Sequence, residues 1–361
     1  MRKIKETIGR SLVVGKLPHG CELCMEGAKL VLFVTGLCPR RCFYCPLSEA
    51  RRWKDVTFAN ELEVKKDEDI IREAKLMNAL GAGITGGDPL IKLERTIKYI
   101  KMLKGTFGSD FHIHLYTSGR TATKKILHEL SEVGLDEIRF HPSESDWKKI
   151  EWAIDTNMDV GAEIPAIPGK VNEIKKFAKY LNDIGASFLN LNELEFSETN
   201  AQELRKRDIR PKSGALAAAE GSEETAIEVL KWAASNLKTT VHYCPSSLKD
   251  SVQLKNRLLR RAKVVAKPYE EITDEGLLVK GIIQLPNKDP NYLKQLKFIL
   301  IRQYGVSREL LYVDKEKMVI ETAWYIVKEL SKELKRRFKV KVGIVEEYPT
   351  ADRIRISYTP L

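Results

Sequence analysis

Between Lys29 and Cys244 the chain alternates short strand-like runs with longer amphipathic stretches on short connections, the signature of parallel βα units. The strand-like runs are Lys29–Val34, Ala82–Thr85, Phe111–Tyr116, Glu137–Phe140, Val160–Ile164, Phe188–Asn192 and Thr239–Tyr243. Apolar residues at helical spacing predict helices over Asp67–Leu80, Lys92–Leu103, Lys124–Val133, Val171–Ile184 and Glu223–Ser235. Six or seven such units define an α/β chain, a partial (βα)6-type TIM barrel. With 361 residues, 43% of them apolar, the chain can also form a second, smaller domain. No apolar run reaches the roughly 18 residues a membrane span needs, and Met1–Arg10 carries charges where a signal peptide would carry an apolar core. The expectation is a cytoplasmic protein with no membrane partner.

In barrels of this type ligands bind at the C-terminal ends of the strands, where the βα loops gather. After the first strand comes Thr35-Gly36-Leu37-Cys38-Pro39-Arg40-Arg41-Cys42-Phe43-Tyr44-Cys45-Pro46. Three thiolates at C-x3-C-x2-C spacing can hold three corners of a [4Fe-4S] cubane and leave the fourth iron open to an outside ligand. A zinc knuckle prefers paired C-x2-C units with a fourth ligand, and thiols can also cluster simply because they are buried. Ile84-Thr85-Gly86-Gly87-Asp88-Pro89 ends the second strand, where adjacent glycines let backbone approach a ligand and Asp88 offers a carboxylate to an ammonium group. Thr117-Ser118-Gly119 and His141-Pro142-Ser143 end the third and fourth strands. His141 and Ser143 face either a ligand or their own backbone.

Together the two glycine and cysteine motifs resemble the radical S-adenosylmethionine superfamily, with Asp88 standing where that family usually has Glu. The likeness spans about residues 20–250 and is similar to archaeal-type proteins related to the pyruvate formate-lyase activating enzyme. It implies a [4Fe-4S] cluster on Cys38, Cys42 and Cys45, and S-adenosylmethionine chelated to the free iron. It also implies reductive cleavage to a 5'-deoxyadenosyl radical, with an electron from a ferredoxin- or flavodoxin-like protein. By the same resemblance Tyr44 lies near the adenine, Gly86 and Gly87 meet the methionine amine, and Asp88, Thr117 and Ser118 shape the pocket. Glu163, in Gly161–Gly169, and Asn192, in Leu189–Glu195, fall where the fifth and sixth strands contact ribose and adenine.

A second cysteine set stands apart from these motifs. Cys21 and Cys24 form a C-x2-C pair before the first strand, and His242-Tyr243-Cys244 ends the last. If the first and last strands approach one another, Cys21, Cys24, His242 and Cys244 suit a tetrahedral zinc or an auxiliary iron-sulfur cluster. Otherwise the pair lies on a flexible lead-in and Cys244 is a core residue. Lys249 and Asp250 follow closely, near enough in sequence to meet a substrate.

Three regions are expected: a lead-in over 1–28, the barrel over 29–266, and a basic α+β domain over 267–361 after the break at Lys267-Pro268. The last is predicted to hold a strand over Gly276–Leu285, helices over Tyr292–Tyr304 and Lys317–Arg337, and a hairpin over Val340–Tyr358. Ser251–Leu361 carries 23 Lys and Arg against 14 Asp and Glu, an excess of nine in a chain of net charge +11. Three readings of the target follow: an RNA bound through this basic surface, a partner protein given a glycyl radical, or no reaction at all in a metal-binding interaction protein.

Overall fold

A computed structural model of the chain describes residues 2–215, 217–285 and 289–361. It divides into two compact units, one of residues 1–75 and 79–254 and one of residues 76–78 and 255–361. The division falls ahead of the Lys267-Pro268 break, so the helix Lys255–Val265 belongs with the second unit.

The first unit is built on seven parallel strands, β1 (Lys29–Phe33), β2 (Gly81–Thr85), β3 (His112–Thr117), β4 (Glu137–Phe140), β5 (Asp159–Ala166), β6 (Phe188–Glu193) and β7 (Thr240–Cys244). Each pairs with its predecessor in sequence, for example β1 with β2 through Leu30 opposite Ala82 and β6 with β7 through Asn190 opposite His242. This singly wound order is the partial-barrel expectation with one strand beyond six. Helices alternate with the strands, and each buries one stripe. In Val171–Asp183 the stripe is Ile174, Phe177, Ala178 and Leu181, the helical spacing that the sequence displays. Thr123 caps Lys124–Glu132, its side chain accepting from Ile126 N at 3.3 Å.

Residues 2–28 are not a flexible lead-in. Leu12–Val14 pairs antiparallel with β7 and Ile4–Glu6 pairs with Leu12–Val14, extending the sheet. At the opposite edge Phe58–Ala59 adds antiparallel to β1. The helix His19–Met25 then lies against the inner face of the barrel: Gly20 N donates to Glu137 at 3.2 Å, and a Cβ at Gly20 would collide with the Arg139 guanidinium and the Glu137 carboxylate.

Alternation along the strands sends apolar residues outward to the helices and an uncommon number of polar ones inward. Ile113, Leu115, Ile138, Phe140, Leu189 and Leu191 are fully buried, yet so are Glu137, Arg139, His114, Asn190 and His242 on the other face. Charges buried this deeply persist only when paired. Arg139 meets that condition, donating to Glu137 at 2.5 Å, Glu163 at 2.8 Å and Tyr116 at 3.0 Å.

The second unit is an antiparallel sheet in the order Leu311–Asp314, Val319–Thr322, Leu278–Gln284, Lys341–Glu347 and Arg355–Pro360. The helices Pro290–Tyr304 and Trp324–Phe338 pack through Leu293, Leu296, Leu300, Val327 and Leu334 on Ile283, Ile320 and Val342. The expected helix over Lys317–Arg337 is corrected here. Its first part is the strand Val319–Thr322, hairpinned to Leu311–Asp314, where the Asp314 carboxylate accepts from Glu316 N and Lys317 N. Val319 and Ile320 suit a pleated surface, and the helix begins only at Trp324.

Candidate active site

Thr35 is the hinge from β1 into the cysteine loop. Its hydroxyl donates to Asp55 at 2.9 Å and accepts from Leu37 N at 3.3 Å, while Asp55 is held by Arg95 at 2.7 Å and Lys92 at 2.9 Å. Gly36 is bracketed by two backbone bonds, its N to Lys54 O and its O from Trp53 N, and a Cβ there would run into Arg51 O. Only glycine allows the loop to double back so closely. Further along, Asn200 donates to Tyr44 O at 3.0 Å and Thr199 to Cys45 O at 3.3 Å, so the loop is fastened to the chain after β6.

Gly86 and Gly87 serve this same loop. Gly87 N donates to Thr35 O and Asp88 N to Leu37 O, both at 2.8 Å, and added Cβ atoms would strike Thr35 O and Leu37 O respectively. Gly86 also holds φ at +155°. The glycine turn is therefore stitched to the segment leading into Cys38.

Asp88 departs from expectation. It is fully buried, and its carboxylate accepts from Leu90 N at 3.1 Å, Thr117 Oγ1 at 3.0 Å, Ser118 N at 3.0 Å and Ser118 Oγ at 2.5 Å. Those four bonds occupy it, and it does not line the cavity. Asp88 ties the β2 loop to the β3 loop instead of presenting a carboxylate to a ligand.

The loops enclose an open cavity of about 330 Å³. Cys38, Cys42, Cys45, Tyr44, Gly86, Gly87, Thr117, Ser118, His141, Glu163, Asn192 and Lys249 all line it. Of the residues singled out in the sequence for this site, Asp88 does not line it, and neither do Ser143, whose hydroxyl turns to Asp146 at 2.6 Å, and Asp250. Tyr44 OH donates to His141 Nε2 at 2.8 Å, and His141 Nδ1 donates to Glu163 O at 2.8 Å, which fixes the tautomer. Burial lowers His141 to about 4, so the ring is neutral near pH 7. Arg40 donates to His141 O, joining the cysteine loop to the end of β4. Burial raises the Glu163 carboxyl, but Arg139, Asn190 and Asn192 outweigh it and leave it below its ordinary value. Lys249 reaches Glu195 at 2.6 Å.

The donor set fits the cluster the spacing implies. Three half-buried thiols stand on one loop around one cavity, and burial pushes Cys38 up to about 11, so the thiol keeps its proton until iron displaces it. Among the described residues no three His, Cys, Asp or Glu side chains close on a single ion-sized point, this loop included. A cubane makes no such demand, because its three thiolates bind three different irons.

The second cysteine set is brought together only in part. Cys21, Cys24, His242 and Cys244 line one chamber of about 190 Å³. Both nitrogens of His242 are taken, Nε2 by Ser11 Oγ at 2.7 Å and Nδ1 by Asn190 Oδ1 at 3.2 Å. The tetrahedral Cys3His zinc site is thus corrected: His242 is committed to hydrogen bonds. Sequence reasoning also missed Arg139 and Tyr116, whose signal is the alternation of Glu137 and Arg139 on one face of an otherwise apolar strand.

A parallel βα barrel carrying three loop cysteines at the C-terminal end of its first strand defines a class of cluster-dependent enzymes. The radical SAM superfamily model matches residues 32–185, and a domain of unknown function matches residues 276–361. A Methanocaldococcus jannaschii protein with the provisional name glycyl-radical enzyme activating enzyme is 46% identical, the match covering 96% of this chain and 93% of the relative. This chain belongs to the radical S-adenosylmethionine superfamily, and it is an enzyme of that class that uses a [4Fe-4S] cluster and S-adenosylmethionine. That leaves no place for the non-catalytic interaction protein. Among solved structures, Streptococcus suis SuiB bound to S-adenosylmethionine is 9% identical with a TM-score of 0.43, covering 61% of this chain and 50% of that one. Escherichia coli coproporphyrinogen III oxidase, HemN, is 11% identical with a TM-score of 0.37, covering 61% and 56%. Among the described residues no helix is long and apolar enough to cross a membrane.

Proposed function

We propose that this enzyme activates a partner protein by removing hydrogen from a backbone glycine. The observation that carries the reading is the 46% identity, across nearly the whole of both chains, to the relative with the activating-enzyme name. When bound, the reduced cluster and S-adenosylmethionine supply a 5'-deoxyadenosyl radical able to take hydrogen from an unactivated C–H bond. Cys38, Cys42 and Cys45 would hold three irons of that cluster, its electron coming from a ferredoxin- or flavodoxin-like protein. Gly86 and Gly87 keep the backbone close to the methionine end, with Thr117 and Ser118 braced by Asp88. His141, anchored on Glu163 O, fixes the Tyr44 ring, which would face the adenine, while the hydrogen-bonded Glu163 and Asn192 would meet the ribose.

One feature favours a second reading, RNA as substrate. Lys328, Lys332, Lys335, Arg336, Arg337, Lys339 and Lys341 are all exposed in the second unit, a surface suited to phosphates. The two readings part in one experiment. The reconstituted, reduced enzyme is given S-adenosylmethionine with either a candidate glycyl-radical partner protein or total RNA, and 5'-deoxyadenosine and the electron paramagnetic resonance spectrum are recorded. A glycyl signal on the partner, absent with Cys42→Ala, is the expected result. Stimulation of 5'-deoxyadenosine by RNA alone, with no protein radical, overturns the proposal in favour of RNA.

A further inference from the structure

Beside the main cavity lies the chamber of about 190 Å³, and the two share Tyr116, Glu163, Asn192 and Lys249 as lining residues. Three free cysteines from two elements face into it. Cys21 and Cys24 stand three apart on the helix His19–Met25, hence on one face, and Cys244 ends β7. The chain brings them together by pairing Leu12–Val14 with β7 and then turning the following helix into the barrel.

Ordinary core cysteines sit among apolar side chains. Cys21 instead receives two N–H groups at its sulfur, from Arg139 Nη2 and Asn190 Nδ2, both at 3.4 Å. Donors aimed at a sulfur are the contacts that stabilise and tune a metal-bound thiolate. Arg139 and Lys249 also line the chamber, the first paired with Glu137 and Glu163 and the second with Glu195. With His242 taken by Ser11 and Asn190, the free donor set is three thiols and no imidazole. A closed structural zinc site needs four ligands. A cubane held by three thiolates needs none further and keeps one iron open.

We propose that Cys21, Cys24 and Cys244 hold a second iron-sulfur cluster, in a chamber that shares a wall with the main cavity. A substrate carrying an amine, carboxylate or thiol group entering from the main cavity would find a ligand site there. This assignment is independent of which partner the enzyme acts on.

The test is metal content of the whole chain after anaerobic reconstitution with iron and sulfide. Wild type should hold about eight irons and eight sulfides, and the variant Cys38→Ala/Cys42→Ala/Cys45→Ala about four of each. Cys21→Ala/Cys24→Ala/Cys244→Ala should likewise retain about four, those of the loop cluster. Because three chamber substitutions together can weaken the fold, Cys244→Ser is measured alongside for unfolding temperature and for the reduced spectrum. It should stay folded and alter one of two paramagnetic signals. A wild type holding about four irons, all lost from the loop variant, overturns the proposal while leaving the radical site intact. So does one zinc in place of iron, or iron that survives loss of all three chamber cysteines in the loop-variant background.

Discussion

Replacing Arg139 by Met removes the cation that joins the fully buried Glu137 carboxylate to the partly buried Glu163 carboxylate. Glu137 is fully buried and would keep only Gly20 N at 3.2 Å and His112 Nε2 at 3.6 Å. His112 cannot take over the charge, since burial and the neighbouring Lys29 hold its pKa far below the ordinary 6.5. Glu163 would keep Asn190 at 3.0 Å and Asn192 at 2.8 Å. Breaking a buried pair from one side costs roughly 3–5 kcal/mol, because the stranded charge keeps its desolvation penalty. For a unit of this size that corresponds to a fall in Tm of roughly 10 °C at neutral pH. Acid should narrow the gap. The folded Glu163 carboxyl lies below its ordinary 4.5, so its contribution is present above that pH and fades as pH falls through the lower folded value. Calorimetry of anaerobically prepared wild type and Arg139→Met from pH 7 to 4 tests this. Adding Glu137→Gln and Glu163→Gln to the Met variant should restore much of the loss, since no charge is then stranded. A Tm change under about 2 °C for Arg139→Met would refute the reasoning.

Four further substitutions in the loops have expected outcomes. Gly86→Ala should cost roughly 1–3 kcal/mol from its backbone conformation alone and should abolish S-adenosylmethionine binding by calorimetric titration, because its Cβ strikes Thr35 O. Asp88→Ala should lower stability by roughly 2–5 kcal/mol in thermal unfolding, the Leu90 and Ser118 N–H groups being left unsatisfied. Asp88→Glu, which restores the residue usual in the family, should also destabilise, since the fully buried site has no room for another methylene. His141 has its pKa lowered by burial from 6.5 to about 4, so it adds stability above 6.5 that is lost as pH falls towards 4. His141→Gln should flatten that acid limb by up to about 1.4 kcal/mol per pH unit in urea titrations; an unchanged slope would show that the ring does not titrate there.

The order of strands and helices was readable because hydrophobic periodicity is local. Strands were read near β1 to β7, and the helix Lys124–Glu132 was found within one residue. Cys38, Cys42 and Cys45 were equally legible, since one short loop fixes their spacing. Reading failed where neighbours are distant in sequence. Asp88 reads as a free carboxylate beside two glycines, but Thr117 and Ser118, about 30 residues on, supply donors that turn it away from the cavity. Lys317–Thr322 reads as the start of a helix, but pairing with Leu278–Gln284, far earlier in the chain, makes its core a strand. His242 looked like a metal ligand until the fold set Ser11 and Asn190 against its two nitrogens.

By itself, then, the amino-acid sequence determined the βα alternation, the end of the barrel that carries the loops, and the three thiols that share one loop, because each depends on spacing along the chain. Only the tertiary structure decided that the N-terminal segment joins the sheet, that Arg139 binds Glu137 and Glu163 inside the barrel, and that Cys21, Cys24 and Cys244 face one chamber. Those outcomes depend on which strands lie side by side and on what burial requires of the charges between them, and no local pattern encodes either.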